Sequence, residues 1–274
     1  MIGIRQADEG DNNMNFKTKK FAMVALIGCI GCSHAFAQGS NPVQAPPIIL
    51  PSPIAQLAFP STFGVPSAVA PKPGSGFVGL TYATPRGGIS GNGGDGDFVA
   101  GYSIGNPLDA ISLTFGVAIT GLEPFGDAGS LSVTASRLLR AGGNSATFIG
   151  ASASNLAAWG PNRNRPEQYS VYVSHLVGIQ AANKEMTLQL VLGYGTDNTL
   201  DSNGSGAISD GVFAGAGFGL TQNLSASISA TRTQLNAGIS YSIPNTALST
   251  SFGVIDVTDN TNRQQLTAAI AFGF

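Results

Sequence analysis

From residue 76 to the end, large apolar residues alternate with small polar ones at a period of two, stretch after stretch. Ile111, Leu113, Phe115, Val117 and Ile119 stand against Ser112, Thr114, Gly116 and Ala118. Leu188, Leu190, Leu192 and Tyr194 stand against Gln189, Val191 and Gly193; Leu224, Ala226 and Ile228 against Ser225, Ser227 and Ser229. Leu235, Ala237, Ile239, Tyr241 and Ile243 oppose Asn236, Gly238, Ser240 and Ser242. Successive side chains of a strand point to opposite faces, so each stretch predicts a strand with one greasy face and one small or hydroxylated face. The pattern predicts about twelve strands, with ten to fourteen open: 76–84, 97–104, 110–120, 130–139, 146–155, 168–177, 186–195, 211–220, 223–231, 235–243, 247–255 and 265–274.

The connections alternate in length. Those at 86–96, 121–129, 156–167, 196–210 and 256–264 are long; those at 105–109, 141–144, 221–223 and 244–246 are short, and 178–185 is intermediate. Only Thr231 to Gln234 is short where a long one is due. Long and short connections on opposite ends suit a closed, up-and-down antiparallel sheet in a membrane. A soluble sandwich also alternates, but its wetted face carries charge. Here the polar faces are Ser, Thr, Gly and Ala, while charges gather in the presumed loops, at Asp95, Asp97, Glu123, Asp127, Arg163, Arg165 and Glu167.

The last stretch carries the most specific signal. Leu266, Ala268, Ile270, Phe272 and the terminal Phe274 share one face. This resembles the final strand of bacterial outer-membrane β-barrels, in which a terminal Phe and alternate apolar residues are read by the barrel-insertion machinery. The resemblance implies a closed antiparallel transmembrane β-barrel over 74–274, in outer-membrane lipid with both termini periplasmic. Phe274, Phe272 and Ile270 would be its insertion signal. The resemblance does not name a solute; the small, hydroxylated inward faces favour a porin-like passive channel for small polar solutes. A non-conducting surface-interaction barrel and a component of envelope or exopolysaccharide export are the alternatives.

Composition agrees. Of 274 residues only 10% are charged, 37 are Gly, and the net charge is -2. That balance excludes an electrostatic nucleic-acid binder. Residues 1–37 read as an extension followed by an export signal starting at Met14. Lys17, Lys19 and Lys20 precede an apolar run, and Ala35-Phe36-Ala37 offers a cleavage site. Leu26-Ile27-Gly28-Cys29 resembles a lipobox, so lipidation at Cys29 competes with cleavage after Ala37. Residues 38–73 hold nine prolines and cannot form barrel wall, because proline gives no amide hydrogen to a ladder. The expectation is an extended periplasmic arm, with a possible periplasmic partner; a plug folded into the lumen is the alternative.

Candidate chemistry is sparse. His175 is the one histidine past the export signal, and its serine neighbours Ser170 and Ser174 have the wrong parity to share its face. Catalysis is therefore not expected, and no cofactor set is legible. Asp201, Asn203 and Ser205 resemble the front of a calcium loop, but the twelfth position is Val212, not an acid. The acids Asp95, Asp97, Asp197, Asp201 and Asp210 could cluster at a rim. The glycines of 87–94 read as a mobile external loop, and Trp159, Tyr169 and Tyr172 as an aromatic girdle. Arg137 and Arg140 are expected at the periplasmic rim and Arg232 at the external rim, unless a bulge turns them inward to bias a pore toward anions. The lining otherwise offers Ser, Thr, Gly, Gln and Asn, which suits neutral solutes.

Overall fold

The computed structural model describes residues 60–85, 94–122, 124–181, 184–200 and 208–274. Twelve strands run in chain order: β1 (Gly76–Ala83), β2 (Asp95–Ile104), β3 (Ser112–Thr120), β4 (Gly129–Gly142), β5 (Ser145–Trp159) and β6 (Gln168–Ala181), then β7 (Lys184–Leu200), β8 (Ile208–Gly219), β9 (Leu224–Ala230), β10 (Leu235–Ser242), β11 (Leu248–Ile255) and β12 (Gln265–Gly273). Each pairs antiparallel with its chain neighbours, and β1 pairs with β12, so the sheet closes on itself. The seam runs from Phe77↔Gly273 to Ala83↔Thr267. It is finished by reciprocal bonds between Gly76 and Phe274, N to O at 2.7 and 2.9 Å. Closure leaves no strand edge unpaired, the condition a sheet must meet in hydrocarbon.

The faces are disposed as the alternation requires. Leu192 is 61% exposed on the outer face, while the inward Gln189 and Ser174 are fully buried. Phe115, Val171, Ile239 and Phe252 extend the same exposed apolar surface around the barrel. Water would not tolerate so continuous a greasy exterior, whereas lipid requires it.

Strand boundaries fall within a few residues of expectation at the ends of β1, β3 and β8–β12. The differences lie in β4–β7, which are 14, 15, 14 and 17 residues long and outrun the pattern. The β4–β5 register shifts three times, and Asn155 and Ala157 take positive φ angles of 55° and 45°. Such bulges insert an extra residue and break the period of two, so the sequence pattern stops at 155 although the ladder continues. β7 likewise shifts register against β8 between Gly195 and Thr199, with Asp197 at φ 47°. The β6–β7 connection is tighter than its expected span, because the two strands pair down to Ala181↔Lys184.

Candidate functional site in the lumen

Residues 60–70 of the proline-rich arm lie inside the barrel, the plug arrangement kept as the alternative to an extended arm, while Lys72 and Pro73 are exposed. The chain leaves the start of β1, crosses the lumen and reverses in a turn in which Val65 N donates to Thr62 O at 3.1 Å. Gly64 has φ 85° at the third position, the conformation a type II turn demands there and one that favours glycine. Buried backbone without a ladder must find other partners for its amides. Pro60, Pro66, Pro71 and Pro73 have no amide hydrogen to satisfy. Phe63 N donates to Ser227 Oγ at 3.2 Å and Ala68 N to Ser174 Oγ at 2.8 Å. Ser229 Oγ donates to Phe63 O, Gln189 Nε2 donates to Ser67 Oγ, and Ser61 Oγ bonds Ser240 Oγ at 2.8 Å. The wall's inward hydroxyls therefore hold the arm.

Inward glycines give it room. Gly238 and Gly253 are paired across β10 and β11, and Phe63 lies against both. A Cβ on Gly238 would stand 2.7 Å from the ring. On β8, a Cβ at Gly215 would meet Val65 at 2.6 Å, and one at Gly217 would meet Pro60 at 3.0 Å. On β5, a Cβ at Gly150 would meet Ala68 at 3.0 Å. Around the β5 and β8 notches an apolar cluster joins arm to wall. Val65, Ala68 and Ala70 pack with Phe148, Leu176 and Phe213. The lumen is thus not the uniformly weakly polar lining expected; its β5–β8 side carries an apolar cluster packed against the arm, beside polar Ser174 and Gln189.

Beyond the turn, toward the long-loop end, a pocket of about 370 Å³, its open mouth included, is bounded by Gly64, Val65, Ser152, Gln168, Asn198 and Phe213. None of the residues around it carries a formal charge at neutral pH. Gln168 Nε2 donates to Asp197 O at 2.8 Å, while its buried Oε1 has no partner among the described residues.

The sequence-predicted residues fall as follows. Arg137 and Arg140 lie on the outer face, at the end of the barrel that bears the short β4–β5 turn. Here a bulge acts opposite to expectation: the shift between Leu138 and Arg140 keeps Arg140 outside, where regular alternation would have turned it in. Arg232 is exposed in the β9–β10 connection at the opposite end. Phe272 and Phe274 are outward and stacked, centroids 6.3 Å apart, and Ile270 shares their face. His175 is outward and bonds Thr147 Oγ1 through Nδ1 at 2.9 Å, whereas Ser174 is inward and holds the arm.

Tyr169 is exposed as a girdle residue would be, and Trp159 Nε1 donates to Gly126 O at 2.9 Å. Tyr172 is not in the girdle. It is buried in the lumen against Phe213, centroids 6.2 Å apart, the Phe213 ring covering Gly193 and the Tyr172 ring covering Gly150. Its parity with Ser170 and Ser174 was the signal that could have placed it there. Asp97 is likewise inward and buried rather than in a loop, accepting from Gly121 N at 3.3 Å. Asp210 Oδ1 accepts from Asp197 N at 3.1 Å. Asp201, Asn203, Ser205 and the glycines of 87–93 lie outside the described residues. Among the described residues, no three acids, histidines or cysteines converge on one point.

A closed antiparallel sheet with an apolar exterior and hydroxyls within defines the transmembrane β-barrel class. No protein-family model matches the chain, and no curated protein matches its sequence. Several solved outer-membrane barrels share the architecture. The KdgM porin in complex with disordered oligogalacturonate is 9% identical with a TM-score of 0.46, over 72% of this chain and 99% of that one. Omp33 of Acinetobacter baumannii is 10% identical with a TM-score of 0.47, over 73% and 98%. The COG4313 outer membrane channel from Pseudomonas putida F1 is 13% identical with a TM-score of 0.45, over 75% and 97%. These are likenesses of barrel shape and carry nothing about solute.

Proposed function

We propose that the protein is an outer-membrane, porin-like passive pathway for small uncharged polar solutes, shut by its own arm in the state described. Three features support membrane placement: the apolar belt, the closed seam, and the terminal Phe272–Phe274 face that the barrel-insertion machinery would read. Both termini would then be periplasmic, with the long loops outside. One observation carries the channel reading: the wall meets the arm through hydroxyls and carboxamides, groups that would equally serve a passing polyol once the arm withdraws. The arm's fitted seat also favours a second reading, a barrel that conducts nothing and is stabilised by its filling.

Planar-bilayer recording separates the two. The full chain should be largely silent, and a variant lacking 60–70 should give stepwise conductance with little preference between cations and anions. Silence from both would make the barrel structural. Equal currents from both would show that the arm does not occlude the path.

A further inference from the structure

Outside the lumen, at the short-turn end, β4 and β6 bring basic side chains onto one outward face, with a hydroxyl from β5 between them. Arg140 on β4 is paired with Thr147 on β5, and Thr147 with His175 on β6, so the three stand in one row across the sheet. Arg137 lies one outward row back on β4, paired with Ile149, because the bulge at Leu138–Arg140 makes residues three apart share a face; the extra residue, Leu139, is also exposed. Both guanidiniums are exposed, and among the described residues neither has a carboxylate partner. Asp109, in the β2–β3 connection at the same end, is engaged by Asn106 Nδ2 at 2.5 Å. Thr147 and His175 bond each other at 2.9 Å, which fixes a hydroxyl and an imidazole beside Arg140. Along the next row lie Ile149, Val173 and Leu192, all exposed and apolar.

Two adjacent like charges repel, and a strand that bulges to keep both outside at a membrane boundary, where screening by water is reduced, favours a counter-charge from beyond the protein. At a membrane boundary that counter-charge is a phosphate, which arginine's planar fork binds through paired donors. We propose that Arg137, Arg140, Thr147 and His175 form a headgroup site for an anionic phospholipid, whose acyl chains lie along Ile149, Val173 and Leu192. The site rests on the membrane placement proposed above but not on conduction. The lumen plays no part in it.

Native mass spectrometry of the full chain, released from nanodiscs of mixed phosphatidylglycerol and phosphatidylcholine, tests it. The barrel should retain phosphatidylglycerol in preference. R137Q and R140Q should each weaken retention about five-fold, and the double variant about thirty-fold, at the usual worth of an arginine near an anionic surface. If the double variant does not fold, the single variants decide. Heat-modifiable migration on gels reports folding. Millimolar inorganic phosphate should not displace the lipid; if it does, the site takes free phosphate and the lipid assignment falls. Unchanged retention in folded R137Q and R140Q overturns the site. Bilayer currents of arm-deleted protein carrying these substitutions should match those of the arm-deleted parent, so failure here and failure of the channel reading are distinguishable.

Discussion

Phe63 is the residue on which the arm's position turns most sharply. Its ring occupies a notch that exists because Gly238 and Gly253 face each other with no Cβ between them and the lumen. Valine at either position would demand space the ring already fills. Overpacking of this kind costs about 1–3 kcal/mol, set against the hydroxyl bonds and the Val65–Ala68–Ala70 apolar contacts that otherwise hold the segment. In G238V and G253V the arm should therefore become cleavable by protease between 60 and 73 while the barrel keeps its folded gel mobility. An arm as protected as in the parent protein would show that the ring does not depend on the notch. None of this was readable beforehand: an inward glycine in a strand signals a weak spot or a close approach, and the sequence does not say which partner approaches. Tyr172 is a different case. Its parity pointed inward, and grouping it with Tyr169 as a girdle ignored the one-residue arithmetic of a strand.

At the scale of elements, the strands were legible because two solvents write on opposite faces. Lipid outside selects Leu, Val, Ile and Phe; a narrow interior selects Gly, Ser and Thr. The reading faded where that contrast did, along the upper parts of β5 and β7, whose bulged ladders run on beyond the apolar pattern. The arm was only half legible. Its prolines excluded it from the wall, yet the same absence of amide hydrogens that bars proline from a sheet suits it to a buried, ladder-free path. β12 combines both kinds of information. Its outward Phe272 and Phe274 stack, and the Phe274 ring lies over Gly76, where a Cβ would come within 2.6 Å of it. Truncating that ring in F274A removes an exposed contact at the seam but no inward one. The purified variant should refold into vesicles as well as the parent, while the fraction assembled in bacterial membranes drops. Equal loss in both settings would assign Phe274 to the seam's stability rather than to recognition during insertion.

The whole molecule is a core turned outward, and its energetics should invert accordingly. Leu192 and Ser249 illustrate the point, one on each face of the same closed sheet: Leu192 stands 61% bare in the belt, and Ser249 is inward, paired with Ala271. In a soluble barrel, arginine at an exposed position is nearly free and arginine at an inward one is severe. With hydrocarbon outside, the guanidinium of L192R must be dragged toward an interface or hydrated in place, at about 2–4 kcal/mol near the midplane. The same group in S249R points to the enclosed side near the short-turn end, where its long stem can reach water. Denaturant unfolding in phospholipid vesicles should therefore rank L192R well below S249R. In detergent-free buffer neither should stay in solution as a folded monomer. The opposite ranking would mean that water, not lipid, wets the apolar belt. Every assignment made from the two faces, the arm's passage through a lumen and the arginine pair at its rim included, would then need a different solvent to explain it.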